Sequence, residues 1–231
     1  MAKTPRASKR EQPRRNSGSY RLEFLNPQQK LAWATIDQHD VCFLIGPAGT
    51  GKTQLATAYA ISQFIAGEVK KIFITRPIVE AEEKLGFLPG TFEEKVHPYM
   101  LPIFDCIETC VGRDSPMAEK ILKNLEVAPL AYMRGRTLQN AVCILDEAQN
   151  CTKNQIKLFL TRLGTHSKMI VTGDPRQSDL KNGVDGLMDI VDALESVDGI
   201  GIVDLTADAI VRHPLIGKII ESIEGMDEDN G

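Results

Sequence analysis

Val41-Cys-Phe-Leu-Ile-Gly-Pro-Ala-Gly-Thr-Gly-Lys-Thr53 decides the fold. Val41 to Ile45 are apolar and read as a buried strand. Gly46 to Thr53 complete a G-x-x-x-x-G-K-[ST] phosphate loop. The Ala-rich stretch from Thr53 to Ala66 reads as a helix, with Gly67 as its C-cap. Buried strand, tight turn and helix N-terminus are the context this motif requires. Gly46, Gly49 and Gly51 admit turns closed to other residues and bring backbone N–H groups near phosphate oxygens. Pro47, Ala48 and Thr50 complete the loop. The new helix directs the positive end of its dipole to the same point. Lys52 supplies a charge for β- and γ-phosphates, and Thr53 a hydroxyl for Mg²⁺.

Working outward, further apolar runs mark further strands: 71–75, 141–145, 169–171 and 201–205, with another short strand at Val127 to Tyr132. Helices lie between them. Asn26-Pro27 has the form of an N-cap with Pro at the first helical position, opening a helix to about Gln38. That helix is expected to bury Leu31, Ala34 and Ile36 or Trp33. Residues 80–89 read as a loop mixing charged and apolar side chains. Residues 92–110 read as a helix interrupted at Pro98 and Pro102, and 116–126 as a short helix. Thr152-Lys-Asn-Gln155 is a capping box. Its helix should carry Ile156, Phe159, Leu160 and Leu163 on one face and close at Gly164. Residues 184–196 are expected to be helical, and Leu215, Ile216, Ile219, Ile220 and Ile223 form the apolar face of a last helix. Apolar strands without alternation, regularly separated by helices, predict an α/β fold with a doubly wound, mostly parallel sheet covered on both faces.

The chain has 231 residues, enough for one full core and too few for two α/β domains with tails. Its net charge of −4 hides an asymmetry. Residues 1–21 carry Lys3, Arg6, Lys9, Arg10, Arg14, Arg15 and Arg21 against Glu11, a sum of +6. Residues 221–231 carry five carboxylates and no basic residue. We therefore expect a disordered basic tail over 1–21, one domain over 22–223, and a disordered acidic tail over 224–231. The basic tail suits a loose electrostatic contact with nucleic acid. No apolar run reaches the length of a membrane span, and no apolar h-region follows the basic start, so a cytoplasmic protein is expected. Five cysteines are too scattered for a disulfide scaffold. Cys42 and Cys143 fall in buried strands and read as core. Cys106 and Cys110 share a helix face, but with only His97 nearby they read as packing rather than a metal site.

In a doubly wound sheet, ligands bind at the carboxyl ends of the strands. Asp146-Glu147 follows strand 141–145, as a Walker B element does. Asp146 would orient Mg²⁺, and Glu147 would polarise the attacking water as general base. Asp174 and Gln177 follow strand 169–171, and Gln177 is placed to meet the γ-phosphate or the water. Gln29 precedes the first strand and is placed to read the adenine edge. Four arginines compete for the role of charge stabiliser: Arg76, Arg134, Arg136 and Arg212. Each is also suited to a nucleic-acid contact.

From about Asn26 to Ile223 the chain resembles the PhoH-like ATPase family. The resemblance is carried by Gly46–Thr53, Thr75-Arg-Pro77, residues 80–90, Ala128–Thr137, Ile144-Leu-Asp-Glu-Ala-Gln-Asn150, Phe159-Leu-Thr-Arg162, Thr172-Gly-Asp174 with Gln177, and Val211-Arg-His-Pro214. It implies a RecA-like P-loop fold. It further implies that Gln149 couples the nucleotide site to nucleic acid, that Gln177 senses the γ-phosphate and that Gln29 reads adenine. No additional RNA-binding or nuclease domain is expected beyond the core and its tails. The reading that follows is a Mg²⁺-dependent ATPase acting on RNA or single-stranded DNA as a homo-oligomer, with a hexameric ring favoured. A single RecA-like core leaves one side of its ATP open, so a neighbouring subunit would supply the second wall and an arginine in trans. Arg212 is the first choice for it, with Arg134 and Arg136 behind. The alternatives are an ATP-binding oligomeric switch or scaffold without turnover, and a P-loop kinase.

Overall fold

Val41 to Ile45 have no polar side chain and are buried throughout, so their backbone groups must be satisfied within a sheet. They become strand β1, flanked by parallel partners on both sides. The computed structural model describes Tyr20 and residues 22–77, 92–178 and 186–209, with the backbone alone for 92–99 and 207. Within these residues the order is α1 (Pro27–Gln38), β1 (Val41–Ile45), α2 (Lys52–Ala66), β2 (Lys71–Thr75), α3 (Phe92–Val111), α4 (Pro116–Asn124), β3 (Leu125–Val127), β4 (Ala141–Leu145), α5 (Lys153–Leu160), β5 (Lys168–Gly173), α6 (Gly186–Leu194) and β6 (Ile200–Asp204). Of the expected tails only Tyr20 is described, and it is ordered against the core, its hydroxyl donating to the Ala58 carbonyl at 2.9 Å; the rest of the tails, the loop over 80–89, the last helix and Arg212 lie outside the described residues.

Six strands form one sheet in the order β3-β2-β4-β5-β1-β6, and every pair is parallel. The pleat sends alternate side chains to two cores. Cys42, Leu44, Ile72, Ile74, Val142 and Ile144 pack under α1 to α4. Phe43, Phe73, Cys143, Leu145, Met169 and Val171 pack under α5 and α6. This is the doubly wound α/β sheet expected from the apolar runs. One strand, β5, separates the phosphate-loop strand β1 from β4.

Several local expectations are corrected. α1 starts at its Asn26 cap as expected, but Leu31 is 61% exposed and Ala34 is also exposed. Ile36 is buried as expected, together with Gln29 and Ala32, and the Gln29 amide donates to the Thr50 carbonyl of the phosphate loop. Trp33 lies at the stripe's edge, with its ring edge-on to Phe24 and Tyr59. α3 runs unbroken through Pro98 and Pro102. Met100, Ile103, Cys106, Ile107 and Cys110 bury one face of it, and that packing outweighs the bonds the prolines cannot make. The short strand is Leu125–Val127 rather than 127–132, and Leu130–Met133 form a 3₁₀ turn. The capping box at Thr152 is formed, but α5 ends at Leu160. Leu163 instead makes a bridge to Leu138. Gly164 lets two backbones meet there: a Cβ on it would lie 2.3 Å from the Leu138 carbonyl oxygen.

Candidate functional site

The carboxyl ends of β1, β4 and β5 converge on the start of α2. The phosphate loop has the backbone its glycines were expected to supply, with φ of 148° at Gly46 and 84° at both Gly49 and Gly51. Gly46 has a second reason to be glycine. A Cβ there would lie 2.2 Å from the Leu205 carbonyl oxygen, just past β6. Gly51 is the residue before α2, so the first turn of the helix faces the loop. Lys52 Nζ donates to the carbonyls of Gly46 at 2.6 Å and Pro47 at 2.9 Å. Burial lowers the Lys52 pKa from its ordinary 10.5, while Asp174, Glu147 and Asp146 act to raise it.

Asp146 is 2% exposed and follows β4 directly. Its Oδ1 accepts from the Thr53 hydroxyl at 2.7 Å and from the Thr172 hydroxyl at 2.5 Å. Thr53 and Asp146 are thus adjacent oxygen donors, the set a hard divalent cation takes. Glu147 adopts φ 57°, a left-handed conformation uncommon for a side chain with a Cβ. Both of its oxygens are engaged. Arg76 Nη2 donates to Oε1 at 2.6 Å, and Gln149 Nε2 donates to Oε2 at 2.6 Å. Gln149, 1% exposed, accepts on its other end from the Asp174 N–H at 3.0 Å. The Asp174 carboxylate accepts from the Ala48 N–H of the phosphate loop at 2.9 Å. A continuous chain of hydrogen bonds therefore runs from the phosphate loop through Asp174 and Gln149 to Glu147 and Arg76.

The phosphate loop, Asp146, Glu147 and Asp174 line a cavity of about 410 Å³. Its floor is Ala48, Gly49 and Gly51 to Gln54; Asp146, Glu147, Thr172 to Asp174 and Gln177 form one side; Pro102, Asp105, Cys106 and Thr109 of α3 form the other. The family profile described as PhoH-like protein matches residues 21–224. The chain belongs to the PhoH-like family. It is 48% identical over 209 residues to a PhoH-like protein of Bacillus subtilis, covering 89% of this chain and 64% of that one. It is 47% identical to a PhoH-like protein of Mycobacterium tuberculosis, over 93% of this chain and 60% of that one. Protein PhoH of Escherichia coli is 42% identical over 81% of this chain and 54% of its own length. The chain thus spans between about half and two thirds of the length of these curated relatives. The RecA-like α/β class implied by the resemblance agrees with the parallel sheet and with the place of the phosphate loop in it. Among solved structures the chain is similar to the UvsW helicase of bacteriophage T4, at 15% identity and a TM-score of 0.46, covering 82% of this chain and 62% of that one. That likeness is too distant to bear on the site.

In this PhoH-family core the other expected site residues are dispersed. Gln177 lies on a 3₁₀ turn, exposed, at the cavity edge. Gln29 is buried; its Oε1 accepts from the Leu25 N–H at 2.9 Å and its Nε2 donates to the Thr50 carbonyl at 3.2 Å. It supports the phosphate loop from behind. Arg136 pairs with Glu126 at 2.6 Å and lies over the Phe73 ring. Neither Arg136 nor the exposed Arg134 lines the cavity. Arg76 does reach the site, through Glu147 and, at 3.7 Å, Asp146. The Thr172 hydroxyl on Asp146 and the α3 wall were not foreseen. Thr172 carried a signal, standing beside Gly173-Asp174 at a strand end. The α3 wall carried none, because two prolines made the helix read as broken.

Cys42 and Cys143 are core residues, and burial pushes each thiol up to about 12. Cys106 and Cys110 lie with their sulfurs 4.0 Å apart, both buried against α2 and the sheet. Among the described residues no three His, Cys, Asp or Glu side chains are grouped to hold a metal. Mg²⁺ needs no such cage, since one or two protein oxygens and the substrate's phosphates hold it.

Proposed function

We propose that this chain is a Mg²⁺-dependent ATPase, coupled to RNA or single-stranded DNA. The observation that carries the reading is the Thr53 hydroxyl on the Asp146 carboxylate at 2.7 Å, on the floor of the phosphate-loop cavity. That contact joins the two halves of a P-loop site across a sequence separation of 93 residues. The phosphate-loop N–H groups and Lys52 hold the triphosphate. Thr53 and Asp146 would hold the cation, and Mg²⁺ would supply positive charge to offset that of the triphosphate. Glu147 takes a proton from water as the water oxygen attacks the γ-phosphorus. The bond to the β–γ bridging oxygen breaks and its electron pair stays on ADP. Gln177, at the cavity edge, orients that water or the γ-phosphate.

The remaining parts of the reading are proposals on the same basis. The homo-oligomer, with a hexameric ring favoured, supplies a second wall to the open side of the site and an arginine in trans, with Arg212 the first choice. The basic tail adds an electrostatic contact to nucleic acid. Among the described residues no helix is long and apolar enough to cross a membrane, and all five cysteines are free thiols. Both observations support a cytoplasmic place for the protein.

Steady-state phosphate release tests the reading, measured without any acceptor and then with single-stranded RNA, single-stranded DNA and duplex. ATP-dependent release that Lys52→Ala abolishes is the expected result. Tight ATP binding without release would favour a switch, and release only with an added acceptor a kinase. Mixing Lys52→Ala with Arg212→Ala tests the shared site. Partial recovery is expected if the arginine acts in trans, and none if it does not.

A further inference from the structure

Arg76 follows β2 directly, and Asp146 follows β4 directly. The two strands are in register, with Thr75 opposite Leu145, and the Asp146 N–H extends the ladder to the Thr75 carbonyl at 3.0 Å. The geometry of the sheet therefore sets Arg76 beside the Asp146-Glu147 pair. Its guanidinium spans both carboxylates, at 2.6 Å from Glu147 Oε1 and 3.7 Å from Asp146 Oδ2. Its side chain is 27% exposed, so it can be reached from solvent while it holds them.

Glu147 is gripped from two sides. Arg76 takes one oxygen, and Gln149, anchored through Asp174 to the phosphate loop, takes the other. A general base must present an oxygen to the proton it abstracts, within hydrogen-bond reach. A carboxylate with a short charge-assisted bond on Oε1 is held in its present orientation and must give up that bond to turn. Gln149 is buried and fixed at both ends, so the bond to Arg76 is the one that can yield.

We propose that Arg76 is a positioning residue that restrains Glu147, and that an anionic partner which draws the guanidinium away releases Glu147 for catalysis. The partner is the phosphate backbone of single-stranded nucleic acid, which guanidinium groups bind in the same bidentate manner as a carboxylate. Binding at Arg76 would then be read directly as an increase in the fraction of sites whose base is free. The inference rests on the ATPase reading above. It goes beyond it by naming the contact through which stimulation reaches the base.

The test measures three quantities in the full chain: ATP binding by equilibrium titration with a fluorescent ATP analogue, basal phosphate release, and release with saturating poly(U) RNA. In Arg76→Ala, ATP binding should be unchanged and basal release should rise about tenfold, the lower bound for losing one charge-assisted bond. Poly(U) should add little more. Arg76→Lys keeps a charge within reach of Glu147 and should return much of the low basal rate. The double variant Arg76→Ala/Glu147→Gln should be inactive, because the added rate passes through Glu147. A large fall in release by Arg76→Ala, with ATP binding kept, would overturn the restraint and make Arg76 a stabiliser of transition-state charge. Unchanged basal release with undiminished poly(U) stimulation would overturn it too. Absence of ATP binding in the wild-type chain would instead remove the ATPase reading on which the proposal stands.

Discussion

Replacing Gln149 by Ala tests whether the chain of bonds around the cavity is structural and catalytic at once. Gln149 is 1% exposed and Asp174 4%, so the Asp174 N–H cannot turn to water when Gln149 is removed. Two bonds are lost. The Asp174 N–H loses its acceptor at 3.0 Å, and a buried unsatisfied N–H costs about 1–3 kcal/mol. Glu147 Oε2 loses its donor at 2.6 Å; Glu147 is partly exposed, so water recovers part of that bond and about 1 kcal/mol is lost. The expected destabilisation is therefore about 2–4 kcal/mol. For a chain of this size that lowers Tm by roughly 5–15 °C. Urea unfolding followed by far-UV circular dichroism measures it, with an unchanged m-value as the sign that two-state behaviour holds. Turnover should fall as well, measured where the variant is still fully folded, because Glu147 keeps only its bond to Arg76. Gln149→Glu should be worse than Ala, since it sets a second carboxylate against Glu147. A midpoint within about 0.5 kcal/mol of wild type, the range of ordinary surface substitutions, would refute the reasoning.

Glu147→Gln should bind ATP as tightly as wild type and release phosphate at least about 100-fold more slowly, since it keeps the shape and removes the base. Weak ATP binding in that variant would assign Glu147 to the metal or to structure. Chelating divalent cations should weaken ATP binding itself, as read by equilibrium titration with and without Mg²⁺, and should not merely stop turnover. The Cys42, Cys143 and Cys151 thiols, pushed up by burial to about 12, should resist alkylation at pH 8 until denaturant is added. The same shift has a stability consequence. Above the ordinary value of 9.0 the unfolded chain ionises these thiols and the folded chain does not, so stability should fall as pH rises from about 9 towards 12. A flat unfolding midpoint over that range would count against it.

The legible parts of this sequence were those where one local signal admits one structure. Val41 to Ile45, Lys71 to Thr75 and Ala141 to Leu145 were placed to the residue, because short apolar runs between helices have one stable solution in a doubly wound sheet. The phosphate loop, the Asn26 cap and the Thr152 capping box were read from side-chain chemistry that acts within a few residues. The errors arose where tertiary packing overrides that chemistry. Pro98 and Pro102 should break a helix, and a buried face of Met100, Ile103 and Ile107 keeps it whole. Gly164 looked like a helix cap and instead admits a close crossing of two backbones. The site divided in the same way. Lys52, Thr53 and Asp146 stand together as the motifs require. The bond from Arg76 to Glu147 joins residues 71 apart in the chain and depends on the register of β2 with β4, which no local pattern records.

That register also bears on why the proposed ATPase would need a cation. The cavity is lined by Asp105, Asp146, Glu147 and Asp174 against Lys52, with Arg76 beside it. Counting Arg76, carboxylates outnumber cationic side chains by four to two. A bare triphosphate is strongly anionic. At an effective dielectric of about 20, each uncompensated carboxylate about 8 Å from a phosphate charge opposes it by about 2 kcal/mol. The phosphate-loop N–H groups and the start of α2 offset part of this, but one of them, the Ala48 N–H, already donates to Asp174. Arg76 is turned to Glu147 and Asp146, so it neutralises the acids rather than the nucleotide. A divalent cation held by Thr53 and Asp146 would reverse that balance. On the proposed reading the excess of acids would be selective, favouring a triphosphate that carries its metal over one without it.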